Sequence, residues 1–201
     1  METIYDKQFA FTLDGDNALI IDIGAHIGGF CVLEGSRKPE AKIIAYEPFF
    51  ENFQILEKNI RLNNLTNIIS IMTAVASEIS TRKFYMNPIN TSAHSLNKKS
   101  DKSTEVPCIT LDAIILDNQI ERCSLLKMDT EGAEYEIILN ASDETLKKID
   151  NIIMEYHVPE FFGLDDNNLL SRLVSRLEDS DFIVTQNAEN YERGYIRASR
   201  I

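Results

Sequence analysis

The stretch ALIIDIGAHIGG, Ala18 to Gly29, decides the fold. Ala18 to Ile23 is a short apolar run that ends in an acid and then glycines, the pattern of a buried parallel strand running into a tight loop. A brief helix is expected from about Gly28. Downstream, KIIAY at Lys42 to Tyr46 predicts a second strand, and Pro48 stands where the first turn of a helix accepts proline. That helix is predicted over Phe49 to Asn63, with Phe50, Phe53, Ile55, Leu56, Ile60 and Leu62 as its core face.

Further strands are predicted at Ile68 to Met72, Leu125 to Met128 and Asn151 to Tyr156, with an antiparallel excursion at Arg82 to Met86. Val106 to Thr110 leads into a helical LDAII segment, and DTEGAEYEIIL opens another helix after the fourth main strand. A helix over Asn168 to Leu177 precedes two closing strands, Phe182 to Gln186 and Gly194 to Ser199. This alternation predicts an α/β, Rossmann-like fold: a mostly parallel seven-stranded sheet, helices on both faces and a C-terminal antiparallel hairpin. A chain of 201 residues without a linker or internal repeat fits one domain spanning residues 1–201. The polar run Asn87 to Thr104 is long for a connection and is expected to form a lid, with His94 inside it.

In such sheets ligands collect beyond the carboxyl ends of the strands. DIGAHIGG, Asp22 to Gly29, occupies that place after the first strand. A dinucleotide loop needs a bare backbone where this chain has His26, and Asp22 would oppose a pyrophosphate. S-adenosylmethionine carries an ammonium and a sulfonium instead of phosphate, so an acid beside the loop attracts it. Gly24 and Gly28 let the chain turn beneath the methionine part. Glu47 ends the second strand at the position from which a Rossmann acid accepts ribose hydroxyls, although an acid there also favours a helix N-terminus. The donor site is therefore assigned to Asp22, Gly24, Ala25, His26, Gly28, Glu47, Pro48, Asp129 and, beside the adenine, Ala76 and Ser77.

The net charge of -12 argues against a nucleic-acid substrate, because binding a phosphate backbone needs clustered cations. Lys98, Lys99 and Lys102 read as a solvated loop. Cys31, Cys108 and Cys123 form no CxxC pair and suit buried thiols in a reducing compartment. Without a basic, apolar leader or a stretch long enough to span a bilayer, a cytoplasmic protein is expected.

The chain resembles the FkbM family of methyltransferases from about Leu19 to His157. The likeness rests on IDIGAHIGG, AYEPFFENFQILEKNIRLNN, ITLDAI around Leu111 and Asp112, KMDTEGAE after the fourth strand, and IIMEYH at Ile152 to His157. It implies a class I methyltransferase fold and methylation of a hydroxyl on a small molecule or sugar. Two departures stand out: His26 replaces the more usual Asn, and few residues precede the first strand. The short N-terminus makes the lid, or a second subunit in a homodimer, responsible for excluding water.

Methyl transfer to oxygen needs two aligned atoms and a proton acceptor. Asp129 and His157 end neighbouring strands, so His157 is assigned as general base and Asp129 as the group that orients it or holds the acceptor. Glu131 and Glu134, three apart at a helix start, share one face, and Glu131 is placed beside the acceptor or the methionine ammonium. Glu155, Asp129 and His157 could instead collect Mg or Mn, but no spacing specifies a metal and none is assigned. Two other classes stay open: a non-catalytic nucleoside-binding partner protein and, against Asp22 and His26, an NAD-dependent dehydrogenase.

Overall fold

The computed structural model describes residues 17–87, 93–164, 166 and 168–200. The first strands are β1 (Leu19–Ile23), β2 (Lys42–Tyr46) and β3 (Ile68–Ile71), with α1 (Gly29–Arg37) and α2 (Phe50–Leu62) between them. Then come β4 (Ala74–Val75), β5 (Ser80–Tyr85), β6 (Ser103–Ile109), α3 (Leu111–Asp117) and β7 (Leu125–Met128). The chain continues through α4 (Glu134–Asn140), α5 (Asp143–Lys147), β8 (Asn151–His157), a 3-10 turn (Pro159–Phe162), α6 (Leu169–Glu178), β9 (Ile183–Ala188) and β10 (Arg193–Ser199).

Seven strands form the main sheet in the order β3-β2-β1-β7-β8-β10-β9, and only β10 runs against its neighbours. Successive side chains on a strand point to opposite faces, so two cores arise. Ile20, Ile43, Leu125 and Ile153 pack on one face with Phe30 and Cys31 of α1 and Leu56 and Ile60 of α2. Ile21, Ile44, Leu126 and Met154 face the other way, toward α3 to α6. Burial on both faces explains why these strands read as unbroken apolar runs.

Three details depart from the sequence reading. On α2 the buried positions are Asn52, Leu56 and Ile60, four residues apart, whereas Phe50, Ile55 and Leu62 are exposed. Their spacing places them around the helix from that stripe. The excursion near Arg82 belongs to a separate three-stranded sheet, β4-β6-β5, which sits beside the carboxyl edge of the main sheet. The Asn87 to Thr104 connection is shorter than expected because β6 begins at Ser103, and residues 88–92 of it lie outside the described part.

Candidate functional site

The carboxyl ends of β1, β2, β7 and β8 open onto a cavity of about 360 Å³. The loop after β1 forms its floor through Gly24, Ala25 and His26. Gly24 has φ +76°, and a Cβ there would stand 1.9 Å from the Asp129 carbonyl oxygen, so only glycine lets the β1 and β7 loops meet. His26 also holds a left-handed backbone, at φ 52°. Glu47 fixes this turn: its carboxylate accepts the His26 amide at 2.8 Å and the Phe49 amide at 2.9 Å. Burial pushes the Glu47 pKa up to about 7, against the pull of those amides.

Pro48, Asn52, Thr73, Ala74 and Val75 line the neighbouring wall. Ala76 and Ser77 do not. Val75 ends at the cavity, and the chain then turns Ser77 away to Glu136, whose carboxylate takes its hydroxyl at 2.7 Å. Gly28 is likewise off the wall; its left-handed backbone starts α1, and a Cβ there would press on Leu56. Asp22 is 0% exposed and lies outside the cavity lining. Its neighbour in register on β7, Lys127, reaches it at 3.0 Å and also donates to the Gly24 carbonyl at 3.0 Å. The cation, and not the acid, faces the ligand space.

The described part of the connection between β5 and β6 lies over the cavity. Ser95 pairs with Tyr85 and donates its hydroxyl to the Glu131 carbonyl at 2.5 Å, while His94 and Leu96 join the lining. His94 stands edge-on to Phe49, 4.4 Å between ring centres. Its Nδ1 accepts the Asn87 amide at 2.9 Å, so the ring proton of the neutral imidazole sits on Nε2. That buried Nε2 has no hydrogen-bond partner among the described residues, nor has Nε2 of His26. Burial lowers the pKa of both rings. Lys98 and Lys99 are exposed as expected, with Lys98 also 4.9 Å above the Phe162 ring.

At the far end Asp129, Glu131 and Glu155 gather around His157. Glu131 precedes α4 in a turn with φ 52°, so it and Glu134 do not share a helix face; they approach His157 from opposite sides. Glu134, fully buried, accepts the His157 amide at 2.7 Å and the Gly132 amide at 2.9 Å, and lies 3.2 Å from His157 Nδ1. Nε2 faces Glu131 at 3.4 Å and Glu155 at 3.3 Å. Burial alone would lower the His157 pKa, but these carboxylates raise it to about 11. The surrounding carboxylates thus favour the protonated ring. Glu131 is pushed up by burial to about 7, with His157 opposing. Burial also raises Asp129, and Lys127 opposes it.

Arg193 and Tyr195 complete this end, from β10. Arg193 meets Glu155 at 2.7 Å. The sequence reading missed both, because the antiparallel register that sets Arg193 against His157 and Tyr195 against Glu155 is a tertiary fact. Lys127 was also missed, although its alternation with Leu125 on a buried strand marked it as a cation needing a partner.

Comparison with known proteins agrees with this architecture. The chain is 25% identical over 175 residues to Methyltransferase 1 of Beauveria bassiana, covering 77% of this chain and 70% of the relative. It is 24% identical over 179 residues to the hexuronic acid methyltransferase AglP of Haloferax volcanii, covering 84% and 70%. A putative rRNA-methylase from Clostridium thermocellum superposes with a TM-score of 0.63 at 10% identity, over 98% of this chain and 93% of that one. The methyltransferase FkbM domain model matches residues 22–185, and the chain belongs to that family of methyltransferases.

Proposed function

We propose that this chain moves a methyl group from S-adenosylmethionine to a hydroxyl oxygen of a small molecule or sugar. The observation that carries the reading is a single cavity with a glycine loop and Glu47 at one end and a carboxylate cluster at the other. Amides of Gly24, Ala25, His26 and Gly28 already donate within the protein, so these four cannot cradle a pyrophosphate as in a dinucleotide site. The Nε2 atoms of His26 and His94, without a partner among the described residues, instead offer separate polar contacts to a nucleoside. Glu47 takes the ribose hydroxyls, Pro48 and Thr73 to Val75 flank the base, and Gly24 and Ala25 underlie the methionine part. Asp22 acts through Lys127, as a positioning residue.

S-adenosylmethionine supplies an electrophilic methyl on sulfur; the acceptor oxygen forms the new C–O bond as the C–S bond breaks. Glu131 receives the acceptor's proton, a task suited to a carboxyl whose pKa lies near neutrality. Asp129 holds the hydroxyl, and the His157 ring keeps Glu131 and Glu155 in place. The hexuronic acid named for one relative supports a sugar acceptor. Incubation with donor labelled in its methyl group and a series of sugars tests the reading. Label in a product stable to mild alkali, an ether, is expected; label released by alkali, an ester, would place the transfer on a carboxylate instead.

A further inference from the structure

We infer that the acceptor end of the cavity is a binding site for a divalent first-row cation of the Mn²⁺ type, held by Asp129, Glu155 and Nε2 of His157. These three come from the ends of β7 and β8, and one donor atom from each lies within 4.8 Å of the others. A six-coordinate ion with bonds of about 2.1 Å holds its ligand atoms about 3.0 Å apart when adjacent and about 4.2 Å when opposite. A few tenths of an ångström of closure brings the triad into that range.

Nε2 of His157 faces two carboxylates at once. The same Glu155 oxygen that faces the ring also meets Arg193 at 2.7 Å. Nε2 of His157, in a residue 3% exposed, stops at 3.3 Å from Glu155 and 3.4 Å from Glu131.

The surroundings complete the arrangement. Glu134 stands 3.2 Å from Nδ1, the placing of a carboxylate that fixes the tautomer of a metal-binding imidazole and leaves Nε2 free to ligate. Four carboxylates, Asp129, Glu131, Glu134 and Glu155, meet here, and Arg193 shares its charge with Glu189. One imidazole with two carboxylates and an open side toward the cavity suits Mn²⁺ better than Mg²⁺, which prefers oxygen alone. The open positions face the acceptor, whose hydroxyl would lose its proton more easily on the cation. Where the ion sits follows from the side chains; its use in methyl transfer rests on the function proposed above.

The test is titration of the full chain, stripped with a chelator, with Mn²⁺ alone, following loss of the free-ion spin resonance signal. One ion per chain with micromolar affinity is expected, and Asp129→Asn or Glu155→Gln should weaken it about 100-fold. Thermal unfolding of each variant confirms that it is folded. S-adenosylhomocysteine binding by the wild-type chain is measured separately, with and without Mn²⁺. No Mn²⁺ binding below millimolar, or binding that both folded variants retain, overturns the cation site and leaves the donor reading standing. Mn²⁺ binding with no nucleoside binding does the reverse.

Discussion

Glu134 holds His157 twice, accepting its backbone amide at 2.7 Å and standing 3.2 Å from Nδ1. Tyr135 adds a third tie, its hydroxyl donating to the His157 carbonyl at 2.6 Å. The start of α4 thus fixes the end of β8. Removing the charge of a fully buried carboxylate breaks this joint, so Glu134→Gln should destabilise the protein by about 3 kcal/mol in urea unfolding. A change within about 0.5 kcal/mol would show that the loop holds without it.

Asp22 and Lys127 are adjacent in register and both buried. Lys127→Met leaves a carboxylate without its counter-ion and should cost about 3–5 kcal/mol, as should Asp22→Leu for the lysine. The double substitution should recover much of that loss. Additive losses in the double-mutant cycle would mean that the pair is not coupled.

Gly24→Ala places a methyl 1.9 Å from the Asp129 carbonyl oxygen at φ +76°. A stability loss above about 3 kcal/mol is expected, with loss of nucleoside binding even in the folded fraction. Gly163 has a similar φ of +70° but nothing within 4 Å, so Gly163→Ala should cost only the backbone strain, about 1 kcal/mol. Equal effects at the two sites would remove the close approach as the cause.

The main sheet was legible in the sequence because each central strand is buried on both faces and its apolar run is bounded by turn residues. Glu47 and the Gly24 loop were legible for the same reason, since strand ends in a parallel sheet converge on one edge. What was hidden depends on charges meeting in space. Asp22 reads as a ligand until Lys127 is seen beside it, and the three carboxylates around His157 come from separate segments. Ser77 is called to Glu136 by a contact 59 residues away, which no local pattern carries.

Nucleoside affinity should depend on pH through Glu47. Burial raises its carboxyl from 4.5 to about 7 in the folded protein. Ionising it therefore costs folding stability as pH climbs across that window, while the ionised form is the better acceptor of ribose hydroxyls. Affinity for S-adenosylhomocysteine should rise through about pH 7 and level off above it. Glu47→Gln should flatten the profile and weaken binding at pH 8 by about 1.5–3 kcal/mol. An unchanged profile in the variant would assign the titration to another group.

The most direct measurement is calorimetric titration of the purified chain with S-adenosylhomocysteine, with NAD in parallel and Glu47→Ala as the control. One site of micromolar affinity, weakened by about tenfold or more in the variant, and no binding of NAD are expected. Absence of S-adenosylhomocysteine binding, or preference for NAD, would contradict the donor site on which the proposed chemistry stands.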